Sequence, residues 1–173
     1  MTFAGATSTK SDSLKAAAEV VEAIRRRLGG SRPDLAFFFV TRHHAPQLEE
    51  AAESIAKGLN ARHLLGCTAE TVIGGSVEHE DEPALGLWAA VLPRAIVHSG
   101  HVSLEQTADG YALLGIPEIP AGPATMILLG EPYSFPTDVF IERMAEDYPR
   151  LQVLGGMASG ARGPAENRIF LGR

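Results

Sequence analysis

The residues whose types and spacing could do chemistry sit in two glycine-bearing segments. The first is Gly66-Cys67-Thr68-Ala69-Glu70-Thr71-Val72-Ile73-Gly74, which follows an apolar run. Glycine lets the backbone come close to a bound molecule and leaves amides free for an anion, while the Cys67 thiol and Thr68 hydroxyl add side-chain contacts. The second is Gly155-Gly156-Met157-Ala158-Ser159-Gly160-Ala161-Arg162-Gly163. Here the Arg162 guanidinium can fork two hydrogen bonds onto a carboxylate or phosphate, with Ser159 and Asn167 to orient polar groups. Gly66, Cys67, Thr68, Gly155, Gly156, Ser159, Arg162 and Asn167 are therefore the candidate ligand-binding residues. Without a ligand, the first segment reads as a tight turn over a packed thiol and the second as a solvated loop.

Other chemistries find less to work with. Cys67 as a nucleophile needs a base within hydrogen-bond reach, and His63 and His79 are the candidates. The second segment carries Gly156 where the first has Cys67, so thiol chemistry is not common to both, and no catalytic residue is assigned. His98 and His101 would share a face on a helix but point to opposite faces of the strand predicted there. Glu78 to Glu82 reads as a solvated acidic loop without calcium-loop spacing. No phosphate loop ending in Gly-Lys-Ser/Thr and no dinucleotide fingerprint is present. The expectation is no metal and no cofactor.

The elements that must position these segments are written twice. Pro33 and Pro46 recur 90 residues on as Pro123 and Pro136, and Gly66 and Gly74 recur 89 residues on as Gly155 and Gly163. In each copy an apolar strand leads through an amphipathic helix to a second apolar strand and a glycine turn, which is a βαβ unit. The predicted fold is α/β: a mixed sheet with packed helices, built from two related βαβ units, the second incomplete. Unit one covers about 33–116, a proline-rich linker 117–123, and unit two 123–173.

Helices and strands follow from periodicity. Asp12 or Ser13 caps a first helix with an apolar stripe of Leu14, Ala17, Val21, Ile24 and Leu28; Arg25, Arg26 and Arg27 suit its last turn and Gly29 its left-handed stop. A second helix, about Pro46 to Gly58, buries Leu48, Ala52, Ile55 and Leu59. A third, about Pro136 to Tyr148, buries Phe140, Ile141, Met144 and Tyr148, each proline standing at a first helical position. Strands are expected at Thr2–Thr7 on a sheet edge, at Leu35–Val40 covered on both faces, and at Leu85–Leu92, Ala95–Val102, Tyr111–Ile116 and Asn167–Leu171. Nothing after Gly163 matches the Ala95 to Ile116 part of unit one, so the chain is expected to be a fragment or to be completed by a neighbour.

Composition narrows the partners. The 173 residues can bury a sizeable core, and a net charge of −6 disfavours phosphate backbones and anionic lipid. A single cysteine excludes an internal disulfide framework, and no stretch approaches 18 apolar residues. The chain reads as soluble and cytoplasmic, with neither nucleic acid nor membrane as a partner.

Pro33-Asp34-Leu35, Leu65-Gly66-Cys67-Thr68-Ala69 with Gly74, and Val153-Leu154-Gly155-Gly156-Met157-Ala158-Ser159 followed by Asn167-Arg168 resemble the FIST N-terminal domain family in order and spacing. The opening Phe3-Ala-Gly-Ala-Thr-Ser8 is similar to that family's start, so the resemblance covers nearly the whole chain. It implies an intracellular sensory domain of signal-transduction proteins that binds an amino acid or another small polar metabolite. It also implies a partner, a following FIST C-terminal domain or a downstream signalling protein; that domain is absent from this sequence. A small-ligand-binding, non-enzymatic sensory domain is the expected function. The alternatives are a thiol-dependent hydrolase or transferase using Cys67, and an interaction module whose second unit a partner domain completes.

Overall fold

The computed structural model describes residues 1–108 and 110–172. Strand β1 (Thr2–Ser8) leads to helix α1 (Ser13–Arg27), and β2 (Leu35–Thr41) leads through a 3-10 turn (Arg42–Gln47) and helix α2 (Leu48–Leu59) to β3 (His63–Ala69). Strands β4 (Thr71–Gly74), β5 (Val77–Glu80), β6 (Leu85–Val91), β7 (Ser103–Thr107) and β8 (Gly110–Leu114) follow. The remainder is β9 (Thr125–Gly130), helix α3 (Thr137–Asp147), β10 (Gln152–Met157) and β11 (Ile169–Gly172). The main sheet is mixed, in the order β1-β6-β2-β3-β11, with β2 and β3 parallel and the other neighbours antiparallel.

Helices α1 and α2 cover one face of this sheet. Val20, Ile24 and Ile55 meet Phe38, Val40, Leu85 and Leu87 in one apolar core. Alternation along β2 sends Ala36, Phe38 and Val40 into it and leaves Phe37 and Phe39 on the opposite face. Of the predicted stripe of α1, Ala17, Val21, Ile24 and Leu28 are buried and Leu14 is 51 % exposed; Ser13, Ala16 and Val20 widen the buried face. Small residues face α2 because the helices approach closely; a Cβ on Gly58 would lie 2.8 Å from Val21 Cγ1. Asp12 caps α1 by accepting from the Lys15 amide at 2.9 Å, and Gly29 ends it at φ +60°. Pro46 lies inside the 3-10 turn and Pro136 is the residue before α3, so both prolines precede their helices and neither is the first helical residue.

Both predicted βαβ units are present. The parallel ladder of the first begins at Leu35 opposite His63, and that of the second at Thr125 opposite Gln152. The 90- and 89-residue offsets carry one pair onto the other. Each ladder opens on the same backbone bond, His63 N–H to Asp34 O at 3.2 Å and Gln152 N–H to Ala124 O at 3.3 Å. Helix α2 starts two residues after Pro46 and α3 one residue after Pro136, so the single deletion falls at the helix start.

Their surroundings differ. β2–β3 has β6 on one edge and β11 on the other, whereas β9–β10 forms a two-stranded sheet by itself. Packed against so small a sheet, α3 buries Phe140 and Met144 but leaves Ile141 49 % exposed, and Tyr148 caps the helix half-buried. The predicted strand at Ala95–Val102 does not form. A turn closes there with Ala95 N–H to Leu92 O at 3.0 Å, and β6, which precedes it, already has β1 and β2 on its two edges. Among the described residues the run has no ladder to join, and the next pairing along the chain is the β7–β8 hairpin. The final strand is shifted slightly from its predicted place and returns to β3, with Ile169 opposite Cys67.

Candidate functional site

The face of the main sheet away from α1 and α2 carries Phe37, Phe39, Cys67 and Trp88, and β9–β10 stands opposite. Between them lies a cleft of about 400 Å³. One wall is Phe37, Phe39, Cys67, Thr68, Ala69 and Trp88; the other is Ile127, Leu129, Gly155, Gly156 and Met157. The Phe37 and Trp88 rings sit 6.1 Å apart at 37°. A wider groove of about 1020 Å³ shares Phe39, Ala69 and Trp88 and runs past β1 and β4 toward Glu19, Glu22, Arg26 and Arg27 on α1.

Four of the eight candidate residues, Cys67, Thr68, Gly155 and Gly156, line the cleft together. Gly66 faces the other way: a Cβ there would lie 2.2 Å from Phe38 Cε1. Its lack of a side chain makes room for that ring, which packs 5.8 Å from Phe170. Arg162 is exposed outside the cleft, and its backbone N–H donates to Glu166 Oε2 at 2.7 Å.

Ser159 and Asn167 hold the two units together beside the cleft. Ser159 N–H donates to Thr68 O at 3.1 Å, and its Oγ accepts from the Glu70 amide at 2.9 Å. Asn167 is 5 % exposed; its Oδ1 accepts from Thr68 Oγ1 and its Nδ2 donates to Glu131 Oε1, both at 3.2 Å. The Arg168 amide donates to Thr68 Oγ1 at 3.2 Å, so that hydroxyl's proton and one of its two lone pairs are engaged. The chain Thr68–Asn167–Glu131 thus runs from the end of β3 to the end of β9.

Glu131 escaped the sequence reading. Its Oε2 accepts from Ser134 Oγ at 2.8 Å and from the Tyr133 amide at 3.0 Å. Desolvation pushes its carboxyl up, but the hydrogen bonds from Ser134, Asn167 and the local backbone outweigh this and hold it below the usual carboxylate range. The repeat offered a signal, since 90 residues earlier stands Thr41, another polar strand end. Thr41 Oγ1 accepts from the Ala84 amide and donates to Glu82 O, each at 2.9 Å. The aromatic wall was also missed, because the Phe37-Phe38-Phe39 run reads as uniformly buried until alternation divides it.

Cys67 is 3 % exposed, and burial pushes its thiol up to about 11. His63 stands four residues along the same strand, roughly 13 Å away at strand rise, with Nδ1 hydrogen-bonded to Ser99 Oγ at 2.9 Å. His79, on β5, is engaged by Glu82 Oε1 at 2.8 Å. Neither histidine is placed as the base that thiol catalysis needs. His98 and His101 lie on the irregular segment before β7. Among the described residues no group of three or more His, Cys, Asp and Glu could hold a metal, and no helix is long and apolar enough to cross a membrane.

Comparison with known proteins brings a family and relatives. The family model for the FIST N domain matches residues 34–173. The uncharacterized protein Rv0628c of Mycobacterium tuberculosis (strain ATCC 25618 / H37Rv) is 32% identical over 166 residues, covering 96% of this chain and 43% of that protein. The uncharacterized protein Mb0898c of Mycobacterium bovis is 29% identical over 162 residues, covering 94% and 42% respectively. The chain therefore spans less than half the length of these relatives. No solved structure gives a significant match.

Proposed function

Because the chain belongs to the FIST N domain family of sensory domains in signalling proteins, we propose that it binds a small ligand in the cleft between its two βαβ units and signals occupancy through the contact joining them. One observation carries this reading: the corresponding strand ends of both units, Cys67-Thr68 and Gly155-Gly156, open onto one cleft. Thr68 both lines the cleft and begins the hydrogen-bonded chain through Asn167 to Glu131. A ligand that displaces Thr68 therefore bears directly on how the units are held, which is the differential contact a two-state sensor requires. A reducing cytoplasmic setting suits the buried thiol.

A thermal-shift screen of amino acids, small carboxylates and neutral aromatics tests the proposal on this chain and on one extended by the remainder of a longer relative. A ligand at a hundredfold excess over its Kd stabilises the folded state by about 2.7 kcal/mol, or roughly 5–11 °C for a domain of this size. Absence of any shift in both proteins ends the reading.

The open sheet favours a second role, docking of a partner strand. On unit one, β6 runs antiparallel along β2; the same edge of β9 accepts an antiparallel apolar strand, and the half of the relatives beyond the matched region is its proposed source. Adding that part in trans should slow amide exchange in β9, and unchanged exchange would remove this role.

A further inference from the structure

We infer that the cleft takes a planar, uncharged, largely apolar molecule of one or two fused rings, and not the amino acid that family resemblance implies; this rests on the cleft being the ligand site. None of its lining residues is charged. Phe37, Phe39 and Trp88 form one wall, and Ile127 and Leu129 supply the side chains of the other. At about 30 Å³ per water, the volume corresponds to roughly a dozen waters that an apolar ligand would release from apolar walls.

An amino acid would bring an ammonium and a carboxylate into this space, and burial of an unpaired ion costs several kcal/mol. The side chains present cannot offset that. Thr68 Oγ1 already donates to Asn167 and accepts from the Arg168 amide. The Cys67 thiol is protonated at neutral pH and is a weak donor. Arg162, the one cation the sequence offered for a carboxylate, stands outside the cleft.

The shape also selects a flat ligand. Gly156 presents no side chain to the cleft, and a Cβ built there meets nothing within 4 Å. A ring lying over this bare stretch of β10 would face the aromatic wall, where offset or edge-on contacts add about 0.5–1.5 kcal/mol beyond area burial. The Met157 thioether turns away from this ring site, toward α3, where Sδ accepts from Thr137 Oγ1 at 3.3 Å, so the bare stretch is bordered by Ile127 and Leu129.

Trp88 is the chain's single tryptophan and lines the cleft, so intrinsic fluorescence reads this site directly. The full chain is titrated with coumarin, as an uncharged planar probe, and with glutamate, leucine and phenylalanine, following Trp88 emission and isothermal titration heat. Two variants accompany it: Gly156→Leu, which fills the open space, and Ile127→Glu, at a position already 42 % exposed. The expected result is saturable coumarin binding that changes Trp88 emission, weakened tenfold or more in both variants, with no amino acid binding. Amino acid binding without coumarin binding overturns the inference and leaves the cleft as the ligand site. Coumarin binding that both variants leave unchanged also overturns it, because the probe then sits elsewhere. No binding by any of these compounds overturns it as well, and the cleft reading falls separately only if the wider thermal-shift screen is blank too.

Discussion

In the first βαβ unit the parallel pair β2–β3 has an antiparallel strand on each edge and two helices over one face; in the second, β9–β10 has one helix and, among the described residues, no further strand. Order, register and opening hydrogen bond are the same in both, so the difference lies in what is packed around them. Phe38 at the centre of β2 is fully buried, while Leu128, its counterpart 90 residues on, is only half-buried. The glycines diverge in the same way. Gly66 makes room for a side chain, the Phe38 ring, whereas Gly155 sits at φ +136° with the Leu128 carbonyl oxygen 1.9 Å from where a Cβ would be. One sequence position is glycine twice, for a packing reason in one unit and a backbone reason in the other. A shared βαβ plan therefore sets the path of the chain, and neighbouring strands determine how firmly that path is held.

The largest expected effect contrasts the two central strands. Phe38→Ala empties the core under α1 and α2 and should cost about 3–5 kcal/mol. Leu128→Ala removes a half-buried side chain and should cost about 1–2 kcal/mol. Urea unfolding of both variants measures the contrast, and equal losses would mean that unit two is as well packed as unit one.

The next concerns Cys67, which has only Gly156 opposite it in the repeat. Below about pH 9, the thiol's ordinary value, it is protonated in both folded and unfolded chains. As pH rises toward about 11 the unfolded thiol ionises first, while burial keeps the folded thiol protonated. Stability is therefore lost between those values, by about 3 kcal/mol. Cys67→Ala should lack this loss, read as the difference between the two proteins' stability curves from pH 8 to 11. Parallel curves would show that the thiol titrates as if exposed.

A smaller effect is expected at the contact between the units. Asn167→Ala removes the link from Thr68 to Glu131 and should cost about 1–2 kcal/mol, because Thr68 keeps the Arg168 amide and Glu131 keeps Ser134. Chemical denaturation would show it as a loss of stability. A variant as stable as the parent would mean that the bonds of Ser159 to Thr68 and Glu70, with the β3–β11 pairing, suffice to hold the units in place.

Much of this arrangement was legible in the residues, and the exceptions have physical causes. The recurring prolines and glycines placed both βαβ units because proline and glycine restrict the backbone locally, wherever the chain ends up. The Asp12 cap and the Gly29 stop were visible for the same reason. Leu14 misled because the stripe of α1 was drawn on hydrophobicity, while the close approach to α2 at Gly58 selects small residues. Ala95–Val102 misled because an apolar run becomes a strand only beside a vacant edge, and edges belong to topology. Cys67, Thr68, Gly155 and Gly156, to which the repeat pointed, line one cleft. Gly66 and Arg162 lie away from the cleft, because the side of a strand and the direction of a loop are tertiary facts. Trp88 and Glu131 escaped because each becomes part of the site only when strands distant in sequence come together.

Native-state hydrogen exchange, resolved by residue, tests the central claim most directly, that one βαβ plan is closed in the first unit and open in the second. Amides of β2 and β3 should be protected to the level of global unfolding, and those of β9 and β10 should exchange through local opening with far lower protection. Equal protection of the two ladders would contradict the account.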